Sequence, residues 1–207
     1  MTLVAGRGAN AKEVTSLVAL KKVYSEGNLP AALSLCVTLA SEEVKIMENV
    51  GYLICYTQIL LEAEGPTSKM KSLLGKALML EPQNVQVNEY LEITEAKSML
   101  SKEKGDEGEK RLTAVIRRSP ENPHALFILG AHLFWTQDET LASVRYLEKC
   151  VRAHSKFLRA WGCLGTIYEK LGNPALSIKA YSSALAIETD LTMRGFFKEK
   201  IQALSVL

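Results

Sequence analysis

Residues 158–191 read LRAWGCLGTIYEKLGNPALSIKAYSSALAIETDL, and this stretch decides the fold. Two apolar patterns with helical spacing flank a Gly-Asn-Pro turn. Gly165 in the first pattern and Ala184 in the second predict a close crossing of two helices, because small side chains let helix axes approach. The seam around that crossing is filled by Trp161, Leu164, Tyr168 and Tyr181. A hairpin of this kind cannot bury its apolar face alone, so we expect neighbouring hairpins.

The second-helix pattern recurs along the chain as an anchor residue followed seven positions later by a residue at the helix crossing. The anchors are Ala32, Met70, Gly108, Ser143 and Ser177. The crossing residues are Leu39, Ala77, Val115, Cys150 and Ala184. Both series are spaced by 38, 38, 35 and 34 residues, so the period approaches 34 toward the C-terminus. In the fourth copy, Leu129, Gly130 and Leu133 occupy the positions of the Leu-Gly-x-x-Tyr pattern of the fifth.

These residues and this period resemble the tetratricopeptide repeat (TPR). The resemblance is strongest over residues 123–191, extends to the second helices upstream, and is weakest in the first helices of the three N-terminal copies. It implies an all-α fold, namely a right-handed α-solenoid of about five helix-turn-helix repeats plus a C-terminal capping helix.

The resemblance also implies an organisation of the chain into repeats. The predicted units cover residues 13–50, 51–84, 85–122, 123–157 and 158–191. Residues 1–12 are predicted to be a flexible N-terminus, and residues 192–207 to be the capping helix. We expect one elongated domain rather than two, because no Pro/Gly/Ser-rich linker interrupts the repeat.

Asparagine and proline mark the predicted helix ends. Four asparagines stand where a helix should begin, and the asparagine side chain is a good N-cap because it accepts an unpaired backbone N–H. They are Asn28, Asn84, Asn122 and Asn173. Pro123 and Pro174 follow two of them at the first helical position, where proline is well tolerated. Pro82 and Pro120 are expected just after helix ends.

Composition limits the function. The chain has 25 basic and 23 acidic residues, a net charge of +2, so nothing predicts the strong positive field that binds nucleic acid or anionic membrane. The four cysteines show no Cys-x-x-Cys spacing and are expected to be buried thiols. The first twenty residues show no signal-peptide pattern, so the sequence predicts a cytoplasmic or nuclear protein with reduced cysteines.

Motifs for catalysis or metal binding are not recognisable. The three histidines form no His-Glu-x-x-His arrangement, and His124 is expected to be exposed in the first turn of a helix. Gly6 and Gly8 form a Gly-x-Gly with no third glycine, which is typical of a flexible terminus. We therefore expect no enzyme, no cofactor and no metal.

In proteins of the resembling family, the first helices line a concave groove that holds a peptide. Carried onto this sequence, that implies partner-binding positions on four first helices. They are Tyr52, Ile59, Ile93, Phe127, Ala131, Phe134, Trp135, Arg159, Thr166 and Lys170. For each aromatic residue, packing between helices is an equally good interpretation, because a slip of one residue exchanges the two faces.

The predicted function is a protein–protein interaction scaffold or adaptor that binds an apolar peptide or helix of a partner in this groove, as a subunit of a larger complex. Two alternatives stay open. Helical-hairpin repeats of similar length also bind RNA. The predicted capping helix carries Phe196, Phe197, Ile201 and Leu204 on roughly one side, a pattern that also occurs in membrane-surface helices.

Overall fold

The computed structural model describes residues 11–101, 104–137 and 139–206, without the side chain of Val44. Within these residues the chain forms eleven α-helices, one short 3₁₀-helix at Val44–Glu48 and no strand, which confirms the all-α prediction. Most of the predicted flexible N-terminus, including Gly6 and Gly8, lies outside the described residues. The helices are α1 (Ala11–Ser25), α2 (Leu29–Glu42), α3 (Val50–Glu62), α4 (Thr67–Leu80), α5 (Val85–Leu100), α6 (Gly105–Arg118), α7 (Pro123–Gln137), α8 (Thr140–Ala153), α9 (Leu158–Lys170), α10 (Pro174–Ile187) and α11 (Leu191–Leu204).

The chain divides into two compact units, Met1–Ser98 and Met99–Leu207. The single elongated domain expected from the sequence stays a prediction. The division falls inside the last turn of α5, so there is no Pro/Gly/Ser-rich linker for composition to reveal.

In the first unit, α2 packs against α1 and α3, and α3 packs against α4. The α3 sequence, VGYLICYTQILLE, has no polar face, and eleven of its thirteen residues are buried. In the second unit, α7 pairs with α8, α9 pairs with α10, and α6 packs on α7. The pairs α1–α2, α3–α4, α7–α8 and α9–α10 are therefore helical hairpins, as the repeat pattern predicts for these copies.

The repeat register of the sequence identifies buried positions along the whole chain. The anchors Ala32, Met70, Gly108, Ser143 and Ser177 are all buried. The crossing residues Leu39, Ala77, Val115, Cys150 and Ala184 are buried as well. Only one side of each second helix can face its partner, so this agreement confirms the second-helix register.

The helices begin and end where the asparagines and prolines of the sequence predict. Each of the four predicted asparagine caps accepts a backbone N–H two or three residues later. Pro123 and Pro174 begin α7 and α10, while Pro82 and Pro120 lie two residues beyond α4 and α6. Gly172 has φ +66°, a left-handed conformation that suits the Gly-Asn-Pro turn.

The close crossing predicted at Gly165 lies against Tyr181 of α10. A Cβ atom at Gly165 would stand 2.4 Å from Tyr181 Cε1, and the Ser177 hydroxyl donates a hydrogen bond of 2.8 Å to the Gly165 carbonyl. The preceding hairpin repeats the arrangement. The Ser143 hydroxyl donates to the Gly130 carbonyl at 2.7 Å, and a Cβ at Gly130 would stand 3.0 Å from Leu147 Cγ.

His124 is buried, not exposed as the sequence led us to expect; only 3% of its surface is accessible. Its ring centroid lies 5.7 Å from that of Phe157, which enters from the loop before α9. The first turn of α7 is thus covered by a residue more than thirty positions away, which local sequence cannot indicate.

Helix α11 covers the end of the last hairpin. It packs on α10 through Phe197 and Leu204, which are 4% and 8% exposed. Ile201 is half-buried against the same cluster, and Phe196 is 42% exposed. The remaining exposed side of α11 includes Lys198, Glu199 and Gln202, as expected for a helix that solvates the end of a repeat array.

We predict that Gly165→Ala lowers the free energy of unfolding by about 1–3 kcal/mol, because the new methyl group overlaps the buried Tyr181 ring. The matched control is Gly195→Ala in α11, where a Cβ meets nothing within 4 Å. There the same substitution should stabilise by about 0.5–1 kcal/mol, since alanine favours helix. Thermal and urea unfolding of both variants measures the two effects. A change of the same sign in both would contradict the assigned crossing.

We also predict that Ser143→Ala and Ser177→Ala each cost about 1 kcal/mol, because each removes one buried hydrogen bond to a glycine carbonyl. Ser182→Ala, at an exposed position of α10, is the control and should be neutral or slightly stabilising. Urea denaturation measures the differences. Three indistinguishable midpoints would show that the serine bonds contribute nothing.

Candidate protein-binding surface of the second unit

Helix α7 carries a row of two buried aromatic residues with an exposed tryptophan next to it. Its sequence, PHALFILGAHLFWTQ, contains no Asp, Glu, Lys or Arg, and most of the helix is buried. Phe127, Ala131 and Phe134 are spaced by four and three residues, so they lie along one side. Trp135 adjoins Phe134 and is 64% exposed. An exposed tryptophan in a helix that is otherwise mostly buried is unusual, because the tryptophan side chain is normally covered.

Helix α9 contributes a second row of residues at helical spacing. Arg159, Cys163, Thr166 and Lys170 follow one another at intervals of four, three and four. Arg159, Cys163 and Thr166 are half-buried, and Lys170 is exposed. We call the two rows together the α7–α9 surface. It consists of Phe127, Ala131, Phe134, Trp135, Arg159, Cys163, Thr166 and Lys170.

Cations of α9 lie over aromatic rings of α7. The Arg159 guanidinium carbon is 4.8 Å from the centroid of the Phe127 ring. The Lys170 Nζ is 5.4 Å from the centroid of the Phe134 ring. Each such pair is worth about 0.5–1 kcal/mol at an accessible site. These contacts hold the two rows together and restrict where the two positive charges can lie.

Trp135 lies close to both rows. Its ring packs edge-on against Phe134 with centroids 4.6 Å apart, and it is near enough to Cys163 to influence that thiol. Burial raises the pKa of the Cys163 thiol, while Trp135 and the Arg159 charge oppose that rise. Cys163 therefore stays a neutral thiol at physiological pH, and the surface gains no negative charge from it.

The edge of the α7–α9 surface next to α11 is polar, and Glu169 connects its polar side chains. This carboxylate accepts from Lys200 Nζ at 2.8 Å and from the Tyr181 hydroxyl at 3.0 Å. The Lys200 hydrogen bond is the main cause that lowers the pKa of Glu169, so the pair is charged at neutral pH. Burial, as the largest cause, raises the pKa of Tyr181 to about 12, which keeps the hydroxyl a donor.

Phe127 and Phe134, two of the predicted binding residues, are largely covered in this structure. They are 5% and 7% exposed, and Phe127 packs on Phe157 with ring centroids 4.9 Å apart. They form the floor of the surface, and Trp135 stands above it. Ala131, Arg159 and Thr166 are half-buried at its middle.

The predicted binding residues of the first unit are placed differently. Tyr52, Ile59 and Ile93 are each 0% exposed. The Tyr52 hydroxyl donates to the Cys36 carbonyl of α2 at 2.6 Å, so this ring faces the neighbouring helix. Tyr52 and Ile59 belong to α3, which is covered on nearly all sides, and Ile93 is an equally buried residue of α5, so all three side chains lie in the core of their unit.

Sequence reasoning did not assign Cys163, Phe196 or Lys200 to the binding surface; it placed Phe196 only on the apolar side of the predicted capping helix. Cys163 could have been found from its helical spacing with Arg159 and Lys170. Phe196 and Lys200 belong to the capping helix, and only its packing brings them to Glu169 and Tyr181, since the Phe196 and Tyr181 ring centroids are 6.4 Å apart.

The described residues include no group of three His, Cys, Asp or Glu side chains arranged to hold a metal ion. None of the helices in the described part is long and apolar enough to cross a membrane. The four cysteines are unbridged thiols, three of them buried and Cys163 half-buried. Burial raises the pKa of Cys55 to about 11, as expected for a structural thiol.

No protein-family model matches the sequence, and no curated protein matches it. Solved structures do resemble it. A thermophilic TPR protein of Thermus thermophilus aligns over 92% of this chain and 99% of its own, with a TM-score of 0.56 and 16% identity. A tetratricopeptide repeat protein of Parabacteroides merdae aligns over 97% of this chain and 73% of its own, with a TM-score of 0.56 and 14% identity. Together with the repeat register and the paired helices, this similarity shows that the chain has the tetratricopeptide repeat fold.

Proposed function

We propose that this chain is a non-catalytic protein–protein interaction scaffold whose α7–α9 surface binds an apolar peptide or helix of a partner. In this proposal it acts as a subunit of a larger complex in the cytoplasm or nucleus. The single observation that carries the proposal is Trp135, which is 64% exposed above an aromatic floor. Tryptophan is among the residues that dominate interface energies, because it buries a large, rigid area on contact.

The floor beneath Trp135 favours binding without rearrangement. Phe134 is packed against Trp135, and Lys170 covers the Phe134 ring from α9. A pre-ordered surface loses little conformational entropy when a partner docks, so more of the contact energy appears as affinity. Ala131 and Thr166 are half-buried, so each keeps part of its surface accessible to a partner.

The proposal narrows the predicted set of binding residues to the second unit. Trp135, Arg159, Thr166 and Lys170 offer atoms to a partner, while Phe127 and Phe134 support them from below. Tyr52, Ile59 and Ile93 are assigned to the core of the first unit.

An unbiased affinity purification with crosslinking tests the proposal directly. The wild-type chain and the Trp135→Ala variant are used side by side as bait. We expect one or more proteins that crosslink to Lys170 of the wild-type chain and are depleted with the variant. Partners that crosslink only to α8 or α10, and are retained by the variant, would overturn the proposed binding surface.

We predict that Trp135→Ala weakens binding of the identified partner by about 2 kcal/mol or more, because the exposed indole is the largest anchor on this surface. Calorimetry measures the affinity, and thermal unfolding should show little change. Leu141→Ala is the matched control, since Leu141 is a 70% exposed apolar residue of α8. It should leave affinity unchanged. Loss of binding with Leu141→Ala but not Trp135→Ala would place the interface on the outer helices.

Phe127→Ala is a less informative variant. Its ring is buried against Phe157, so its removal should cost about 3–5 kcal/mol of folding stability before any effect on binding is seen.

A further inference from the structure

The third repeat is the one that the boundary between the two compact units divides. Helix α5 belongs to the first unit except for its last two residues, and α6 belongs to the second unit. We propose that the two units are separate folding modules, so that the second unit, with its α7–α9 surface, stays folded when the first unit unfolds. Separate folding concerns the whole chain and does not depend on what the surface binds.

Eleven consecutive residues around the start of α6 carry no apolar side chain. Residues 101–111 read SKEKGDEGEKR, and eight of the eleven are charged. They include the whole first half of α6, in which Leu112 is the first apolar residue. Burial of apolar area is the main source of cooperative stability in folded proteins. This stretch therefore contributes no apolar side chain to the core of either unit.

Helix α6 also begins with little local support. Lys104, its N-cap residue, makes no side-chain hydrogen bond to the described first turn. Gly105 and Gly108 both lie in that turn, and glycine disfavours helix relative to alanine because it loses more conformational freedom. Asp106 and Glu107 interact favourably with the helix dipole, but this effect is small and is screened by salt.

The anchor position of the third repeat lacks the groups that the other four repeats place there. Ala32 and Met70 fill this position with buried apolar side chains in the first two repeats. Ser143 and Ser177 fill it with hydroxyls that donate to glycine carbonyls in the last two. Gly108 offers neither an apolar side chain nor a side-chain donor. We therefore expect the energy that joins the two helices of a repeat to be smallest in the third repeat.

Each unit has a core of its own. The fully buried side chains of the first unit include Leu20, Leu53 and Leu74, and those of the second include Leu147 and Leu164. Each unit contains about a hundred residues, a size at which one core is enough for independent folding. The stability of a repeat array is a sum over repeats and neighbouring pairs, so unfolding separates where those contributions are smallest.

The positions of tryptophan and cysteine let the two units be followed separately in the full chain. Both tryptophans, Trp135 and Trp161, belong to the second unit. The Trp161 indole N–H donates to the Ser155 carbonyl at 2.9 Å, so its fluorescence should change when that unit unfolds. The first unit contains two of the four cysteines, Cys36 and Cys55, and both are buried.

The experiment is urea unfolding of the full chain. It is followed in parallel by tryptophan fluorescence, by far-ultraviolet circular dichroism and by pulsed alkylation of the thiols with mass spectrometry. The variants are Leu53→Ala in the first unit and Leu164→Ala in the second. They are matched, because each truncates a buried leucine of a first helix, a change that destabilises the core around it.

We expect Leu53→Ala to lower the urea midpoint for alkylation of Cys36 and Cys55 and to leave the tryptophan midpoint at its wild-type value. Leu164→Ala should lower the tryptophan midpoint and leave alkylation of these two cysteines unchanged. Circular dichroism should follow both transitions, since the described helices are divided nearly equally between the units. If Leu53→Ala unfolds the first unit without urea, the tryptophan transition should still occur at the wild-type midpoint, which supports the proposal equally.

A tryptophan midpoint that Leu53→Ala lowers as much as Leu164→Ala does would overturn the proposal, because the two units would then unfold as one. Loss of the tryptophan transition in Leu53→Ala would overturn it as well. So would alkylation of Cys36 and Cys55 that shifts with Leu164→Ala to the same extent as with Leu53→Ala.

Discussion

Two hairpins of the second unit depend on a glycine in the first helix. Because glycine has no side chain, its backbone carbonyl is open to a serine of the second helix. At Gly165 and Gly130 the absent Cβ lets the second helix approach until a serine hydroxyl reaches the glycine carbonyl, at 2.8 and 2.7 Å. The space that a methyl group would need is filled by Tyr181 in one hairpin and by Leu147 and Tyr146 in the other. The hydrogen bond satisfies a buried hydroxyl, and the packing excludes water. Together they fix the distance and the rotation of the two helices.

That rotation determines what the first helices present on their other side. Once Gly130 faces α8 and Gly165 faces α10, the sides of α7 and α9 that carry Trp135, Cys163 and Lys170 must point away from the second helices. The two rows then contact each other through the pairs of Arg159 with Phe127 and Lys170 with Phe134. The candidate binding surface is thus a geometric consequence of the crossing.

The capping helix completes the same surface from the other end. Phe197 covers the last hairpin beside Gly162, where a Cβ would stand 3.8 Å from its ring. With Phe197 packed inward, Lys200 is brought to Glu169, and their ion pair offsets the carboxylate charge on this edge. A helix that prevents exposure of the last apolar face therefore also shapes the charge at the α11 edge of the α7–α9 surface.

How much the sequence reveals depends on whether a feature is local. Helix starts are local, and the asparagine caps at Asn84 and Asn173 could be predicted because each side chain bonds the backbone two or three residues ahead. The repeat register is also local, since each hairpin carries its own copy of the crossing pattern. That is why residues as different as Met70, Gly108 and Ser177 could all be assigned to buried positions.

The sequence by itself therefore determined the helices, the pairing of α1 with α2, α3 with α4, α7 with α8 and α9 with α10, and the buried positions of each second helix. Only the tertiary structure decided which aromatic residues stay exposed. Phe127 and Trp135 are both aromatic residues of one helix, but Phe157 arrives from a distant loop and covers the first, while the second keeps most of its surface accessible. Tyr52 is buried for the same kind of reason, because its hydroxyl meets the α2 backbone. Exposure is set by contacts between residues far apart in the chain, and helical periodicity contains no information about them.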